Sequence, residues 1–193
     1  GVATLYYGDE LGMDDGRIPP DKVQDPVEKR SGSLQVPGRD PARTPMPWTG
    51  EAHGGFTAVA SDPWLPLADG HETVNVAAQE DDPASTLNFY RQLIALRQQT
   101  PALRFGSLTL VADMPKHIMA YTRQFDDDRW LVLINFAADS VVLDISQVAP
   151  GAVIRLSTEF APHHQPLNTG QLTLNPHESL LLQLDELTDI GQS

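Results

Sequence analysis

Cysteine is absent from the 193 residues. That excludes disulfides and thiolate metal centres, and it fits a reducing compartment without requiring one. Basic residues are scarce: 13 Lys and Arg stand against 26 Asp and Glu, for a formal net charge of −13. Nucleic-acid binding depends on clustered cations that neutralise phosphates, and anionic membrane surfaces select the same clusters. Neither partner is expected, and the acidity reads first as a device for solubility. No apolar run approaches the ~20 residues needed to span a bilayer, and no signal-peptide pattern opens the chain. The motifs HExxH, GxSxG, GxGxxG and the P-loop are all missing. The six histidines, His53, His71, His117, His163, His164 and His177, show no metal-ligand spacing. The pair His163–His164 reads as a solvated polar turn.

What is present divides the chain in two. Hydrophobic content of 40% supports a packed core. The opening "GVATLYYGDE" reads as a β-strand buried on both faces, as in a parallel sheet. Such a strand needs neighbours and crossover helices, so the segment is expected to be the last strand of something larger. From Leu11 to about Asp81 the chain is proline-rich loop, with short helical turns expected near Pro20 to Lys29. In "DDPASTLNFYRQLIALRQQTP", Asp82 reads as N-cap, Pro83 as first helical residue and Pro101 as the stop. Leu87, Tyr90 and Ile94 share one face of that helix, joined by Leu93 and Leu96.

Beyond Ala102 the pattern changes to seven short β runs: "SLTLV", "HIMAYTRQ", "RWLVLINF", "SVVLDI", "VIRLS", "QLTL" and "ESLLLQL". Asp126 to Asp128 marks a hairpin turn. The expected architecture is α/β plus all-β: a βα piece over residues 1–103 and an antiparallel β sandwich or barrel over residues 104–193.

Few residues in this sequence could carry chemistry. Asp9 and Glu10 end the first strand, where barrel enzymes place catalytic groups. A retaining glycosidase needs two carboxylates converging at about 5 to 5.5 Å. Neighbours on a strand end diverge, so capping, pairing with an arginine or lining a pocket rim is the better reading. "GRDPARTPMPW" sets Arg39, Asp40 and Arg43 among three prolines. An arginine fork suits carboxylates or paired hydroxyls. From the residues alone, a ligand-facing arginine and a structural ion pair, with Asp40 bound to either arginine, are equally open. Trp48, Phe56 and Trp64 could stack on sugar rings, but stapling of loops is favoured.

Five ordered segments carry a resemblance: "GVATLYYGDELGM", "GRDPARTPMPW", "GGFTAVASDPWLPL", "NVAAQEDDPASTLNFYRQLIALRQ" and "RWLVLINF". Together they resemble the α-amylase superfamily of glycoside hydrolases, in its α-glucosidase and oligo-1,6-glucosidase branch. They cover residues 1 to 100 closely and the rest more loosely. The resemblance implies a TIM (β/α)8 barrel ending in this strand and helix, followed by an antiparallel β-sandwich domain. It implies a retaining enzyme acting on α-glucoside oligosaccharides without an organic cofactor or a metal in this segment. Its Asp nucleophile, Glu acid/base and second Asp would lie upstream, so no catalytic residue is expected within this sequence and the chain alone is expected to be inactive. Arg39 would line the innermost glucose subsite as a substrate-binding residue, pairing with an upstream aspartate, with Arg43 as a structural partner of nearby acids. The segment between Met13 and Gly38 is shorter than in typical oligo-1,6-glucosidases, which opens the linkage preference. A bacterial cytoplasmic location is expected. Sucrose isomerases and non-catalytic, transporter-associated proteins are the alternatives within the same resemblance.

Overall fold

The computed structural model describes residues 3–31, 36, 38–159, 165–167 and 170–184. It separates into two compact units, Gly1–Arg91 and Gln92–Ser193.

The first unit is built from turns and loops. Helix α1 spans Pro26–Ser31 and α2 spans Val76–Glu80. Short 3-10 turns occupy Asp9–Leu11, Asp40–Arg43 and Ala52–Gly55. The expected buried strand does not form. Residues 3–7 join no ladder, and Leu5, Tyr6 and Tyr7 are 49%, 48% and 41% exposed. A parallel strand is held by hydrogen bonds to strands beside it, and this chain supplies none for the segment. The chain then reverses through Gly8, whose φ of 95° is a left-handed conformation that glycine adopts without steric cost.

With little regular structure, polar side chains fasten the loops. Asn75 is nearly inaccessible; its Oδ1 accepts from Ala78 N at the start of α2, while its Nδ2 donates to the carbonyls of His71 and Glu72. Gln79 bridges two segments: its Nε2 donates to Leu11 O at 2.8 Å and its Oε1 accepts from Leu87 N at 2.9 Å. Leu11 and Leu65 are the largest apolar groups sealed between these loops.

Helix α3 runs Thr86–Gln99. It starts later than its sequence suggests. Asp82 accepts from Ala84 N and closes a separate turn, while Ser85 Oγ accepts from Asn88 N. Serine is therefore the N-cap, and Pro83 lies outside the helix. On the anticipated face Leu87 is buried, Tyr90 half-buried and Ile94 39% exposed. Pro101 does more than stop α3, because it occupies the first turn of α4, Pro101–Phe105.

The second unit holds eight strands among its described residues: β1 Ser107–Leu110, β2 Ile118–Phe125, β3 Asp128–Asn135, β4 Val141–Asp144, β5 Val153–Ser157, β6 Gln165–Pro166, β7 Gln171–Leu174 and β8 Ser179–Gln183. All seven anticipated runs are present. The two-residue β6 is too short to leave a periodic signal, and its proline sits on a sheet edge, where no ladder donor is required. One sheet has the order β1-β2-β3-β8-β5-β6 and a second pairs β4 with β7, every pairing being antiparallel. The β2–β3 hairpin pairs Phe125 with Asp128, leaving Asp126 and Asp127 as its turn, with Asp126 at φ 51°. Aspartate tolerates that left-handed position better than most residues.

Alternation decides the core. Ile118, Ala120, Leu131, Leu133, Leu180 and Leu182 line one face of the large sheet and pack with Leu143, Leu172 and Leu174 of the small one. Trp130 and Leu181 belong to the other face, where α4 packs on β2 and β3.

Polar groups close one end of this sandwich. The side chain of Asn135 is 1% exposed; its Nδ2 donates to the carbonyls of Asp139 and Asn175, and its Oδ1 accepts from Ala137 N. Buried Glu178 accepts from Ser157 Oγ and Asn175 N, both at 2.8 Å. A buried polar group stripped of its partner costs about 1–3 kcal/mol. Asn135→Ala should therefore lower stability by about 2–3 kcal/mol in urea unfolding. A loss below ~0.5 kcal/mol would show that water replaces the missing amide.

Candidate functional site

The stretch Gly38–Arg43 is fixed by three carboxylates. Glu28 Oε2 accepts from Gly38 N at 2.9 Å. Asp40 Oδ2 accepts from the backbone N–H groups of Gln24 and Asp25, the latter at 2.8 Å. Asp25 Oδ2 accepts from Arg39 N at 3.3 Å and from Arg39 Nε at 2.8 Å, while its Oδ1 accepts from Val27 N at 2.7 Å. Residues 24–28 and 38–40 thus hold each other reciprocally. A side chain at Gly38 would not fit, since a Cβ there would lie 2.5 Å from Glu28 Oε2 and 2.9 Å from Asp25 Cβ.

Burial is unequal across the Arg39–Asp25 ion pair. The Asp25 side chain is fully inaccessible, whereas that of Arg39 is 62% exposed. Arg39 engages Asp25 through Nε, and among the described residues no partner is found for its two terminal nitrogens. The arrangement presents a planar pair of N–H donors outward from an anchored base. The hydrogen bond from the Arg39 side chain holds the Asp25 carboxyl down at about 2, assisted by the Val27 amide and opposed by burial.

The other singled-out residues do different work. Asp40 is 1% exposed and binds backbone amides, so it pairs with neither arginine. Arg43 is half-buried and forms no ion pair among the described residues. Its positive charge acts on Tyr7, whose phenol is pushed up chiefly by burial and by Tyr6, with Arg43 pulling the other way. Asp9 and Glu10 act as local caps: Asp9 Oδ2 accepts from Tyr6 N at 3.0 Å and Glu10 Oε2 from Gly8 N at 2.8 Å.

The aromatics do not staple loops here. Trp48, Phe56 and Trp64 are 50%, 46% and 59% exposed. With Tyr6, Tyr7 and Arg43 they line an open cleft of about 540 Å³. Tyr7 Oη donates to Thr44 O at 3.0 Å, tying one wall of the cleft to the end of the arginine turn. Among the described residues no group of three or more His, Asp or Glu side chains is placed to hold a metal ion, and no helix is long and apolar enough to cross a membrane. The pair His163–His164 lies outside the described residues.

Residues 1–106 match the family described as alpha amylase, catalytic domain, and residues 108–181 match the maltogenic amylase C-terminal domain. The chain belongs to the alpha-amylase family. Within it, the chain is 28% identical to an oligo-1,6-glucosidase of Bacillus cereus, over 95% of this chain and 36% of that protein. It is 33% identical to the amino acid transporter heavy chain SLC3A1 of Mus musculus, over 95% of this chain and 26% of that protein. Among solved structures, trehalulose synthase MutB from Pseudomonas mesoacidophila MX-45 superimposes with a TM-score of 0.74 at 29% identity, over 92% of this chain and 34% of that one. The chain therefore spans about a quarter to a third of the length of these relatives. Its fold is that of the alpha-amylase family, the end of the catalytic domain followed by an antiparallel β domain.

Asp25, Glu28 and Gln24 were not among the sequence candidates. The readable signal was Asp25-Pro26, an N-cap residue followed by a proline suited to the first helical position. The pH dependence of Asp25 follows from its sign. Its carboxyl is depressed in the folded chain, so the ion pair favours folding above the ordinary carboxylate value near 4 and the contribution is lost as pH falls toward 2. The urea midpoint of the chain should fall between pH 4 and pH 2, and Asp25→Asn should fall less over that interval from a lower starting value. Parallel declines would mean that the ion pair does not contribute.

Proposed function

We propose that this chain forms part of a retaining, exo-acting α-glucosidase that hydrolyses short α-glucosides. In this reading residues 1–103 close the catalytic barrel, residues 104–193 form the accessory β domain, and the Asp/Glu/Asp trio is supplied by residues outside this sequence. Arg39 is the substrate-binding group. One observation carries the assignment: a guanidinium anchored through Nε on a sealed carboxylate, with its outer donors directed away from that anchor. Such a fork matches two neighbouring hydroxyls of a terminal glucose. Once a bound ligand shuts water out, a site built to donate to a hydroxyl discriminates strongly against ligands that lack it, because the donor is then left unpaired.

Membership of the alpha-amylase family and similarity to a protein named oligo-1,6-glucosidase support the substrate class. In the enzyme that contains this sequence, Arg39→Ala should lower kcat/KM on an aryl α-glucoside by more than ~10-fold, since a charge-assisted hydrogen bond is worth about 1.5–3 kcal/mol. An unchanged kcat/KM would remove Arg39 from the substrate site.

Similarity to a trehalulose synthase favours a second reading, in which the glucosyl group passes to a sugar rather than to water. Product analysis on sucrose and maltose separates the two: isomerised disaccharide indicates transfer, and free glucose indicates hydrolysis.

A further inference from the structure

The contact that sets Arg39 apart from the other exposed arginines is the one behind it. We propose that Asp25 is a positioning residue for substrate, acting through Arg39 to fix the direction of its outer N–H pair; this rests on Arg39 touching the glucoside.

The geometry supports the role in three ways. First, Asp25 Oδ2 takes two hydrogens from the same residue, the Arg39 backbone N–H at 3.3 Å and the side-chain Nε–H at 2.8 Å. A single oxygen that binds both ends of a side chain closes a ring and restricts the dihedrals between them. Arginine loses much rotamer freedom when held, and holding it before substrate arrives lowers the entropy lost on binding. Second, the anchor itself cannot turn. Asp25 Oδ1 is occupied by Val27 N at 2.7 Å, and the Asp25 backbone N–H is bound by Asp40. Third, the backbone around Arg39 is held on both sides, by Glu28 at Gly38 and by the buried Asp40 carboxylate. Because Nε faces inward, the opposite edge of the guanidinium, carrying both terminal nitrogens, is the edge left for a ligand.

A carboxylate that only braced the loop could do so through Val27 and the Arg39 backbone. Binding of Nε adds to the stability of that brace without being required for it, and it alone decides where the guanidinium points. The two functions are separable by what a substitution does to substrate selectivity. Serine at an N-cap accepts from the following amides much as aspartate does, but it is too short to reach Arg39 Nε. Asp25→Ser therefore retains the cap on Val27 but gives up both Arg39 bonds to Oδ2, so the change in substrate selectivity, rather than the loss of rate, reports the freed guanidinium.

The experiment is steady-state kinetics of the enzyme that contains this sequence, with 4-nitrophenyl α-glucoside and its 4-deoxy analogue as substrates, the 4-hydroxyl at the non-reducing end being taken as one of the two hydroxyls that Arg39 holds. Four forms are compared: wild type, Asp25→Ser, Arg39→Ala and the double variant. Asp25→Ser should lower kcat/KM on the glucoside about 10-fold while changing the deoxy analogue little, so that the preference between the two narrows. The double variant should match Arg39→Ala within about 2-fold, because both changes act through one guanidinium and groups in contact are not additive. Equal losses on both substrates would mean a loop brace and would overturn the proposal, as would losses that multiply in the double variant. Wild-type kinetics in Asp25→Ser beside an impaired Arg39→Ala would overturn the positioning role alone. Wild-type kinetics in Arg39→Ala would remove the ligand role of the arginine, and the positioning role with it.

Discussion

A carboxylate accepting hydrogen bonds from backbone amides is the interaction on which the first unit depends. Asp25 and Asp40 exchange it reciprocally: each side chain binds backbone N–H groups of the other's segment. Helices and sheets satisfy their amides internally, but the loops here have few such ladders. An unpaired buried amide costs about as much as a lost hydrogen bond. Carboxylates remove that penalty, and they do so strongly, because hydrogen bonds to a charged acceptor are shorter and firmer than neutral ones.

The same device recurs along the chain. Asp9 caps Tyr6, Glu10 caps Gly8, Glu28 caps Gly38 and Asp82 caps Ala84. In the second unit Asp128 binds Ala102 N and Trp130 Nε1, and Glu178 binds Asn175 N and Ser157 Oγ. Asp144 accepts from Ser146 through its side chain and backbone, which draws its carboxyl below the ordinary range. The acidity that composition alone explains as solubility thus has a structural share. Proline and glycine shape the loops, and aspartate and glutamate fasten them.

Legibility in the sequence followed the kind of force involved. The β runs were readable because Leu131, Leu133, Leu180 and Leu182 alternate with residues of the opposite face, a pattern that burial imposes locally. The hairpin at Asp126–Asp127 announced itself through turn chemistry. The opening run was read as the last strand of something larger; residues 3–7 join no ladder here because "VATLYY" records a tendency to pair, while pairing needs a neighbour that this chain does not contain. Asp82 drew the N-cap assignment because an aspartate before a proline looks the same whether it opens a helix or closes a turn; Ser85 caps α3 instead. Arg39 stood out by composition, a basic residue among prolines in an acidic chain. Its partner Asp25 did not, because fourteen positions separate them and only the fold brings them together.

The unequal burial of Arg39 and Asp25 is itself the economical solution to presenting a cation. Burying a charge is costly unless its hydrogen-bonding capacity is met. A carboxylate can be met by three donors, and Asp25 has them in Val27 N, Arg39 N and Arg39 Nε. A guanidinium has five donors, and the short loop offers no comparable set of acceptors. Sealing the acid and leaving the arginine in solvent satisfies both groups. It also leaves the arginine's unused donors on the accessible side. In the reverse arrangement, the group that needs most partners would have fewest, and the exposed carboxylate would present only acceptors to a ligand.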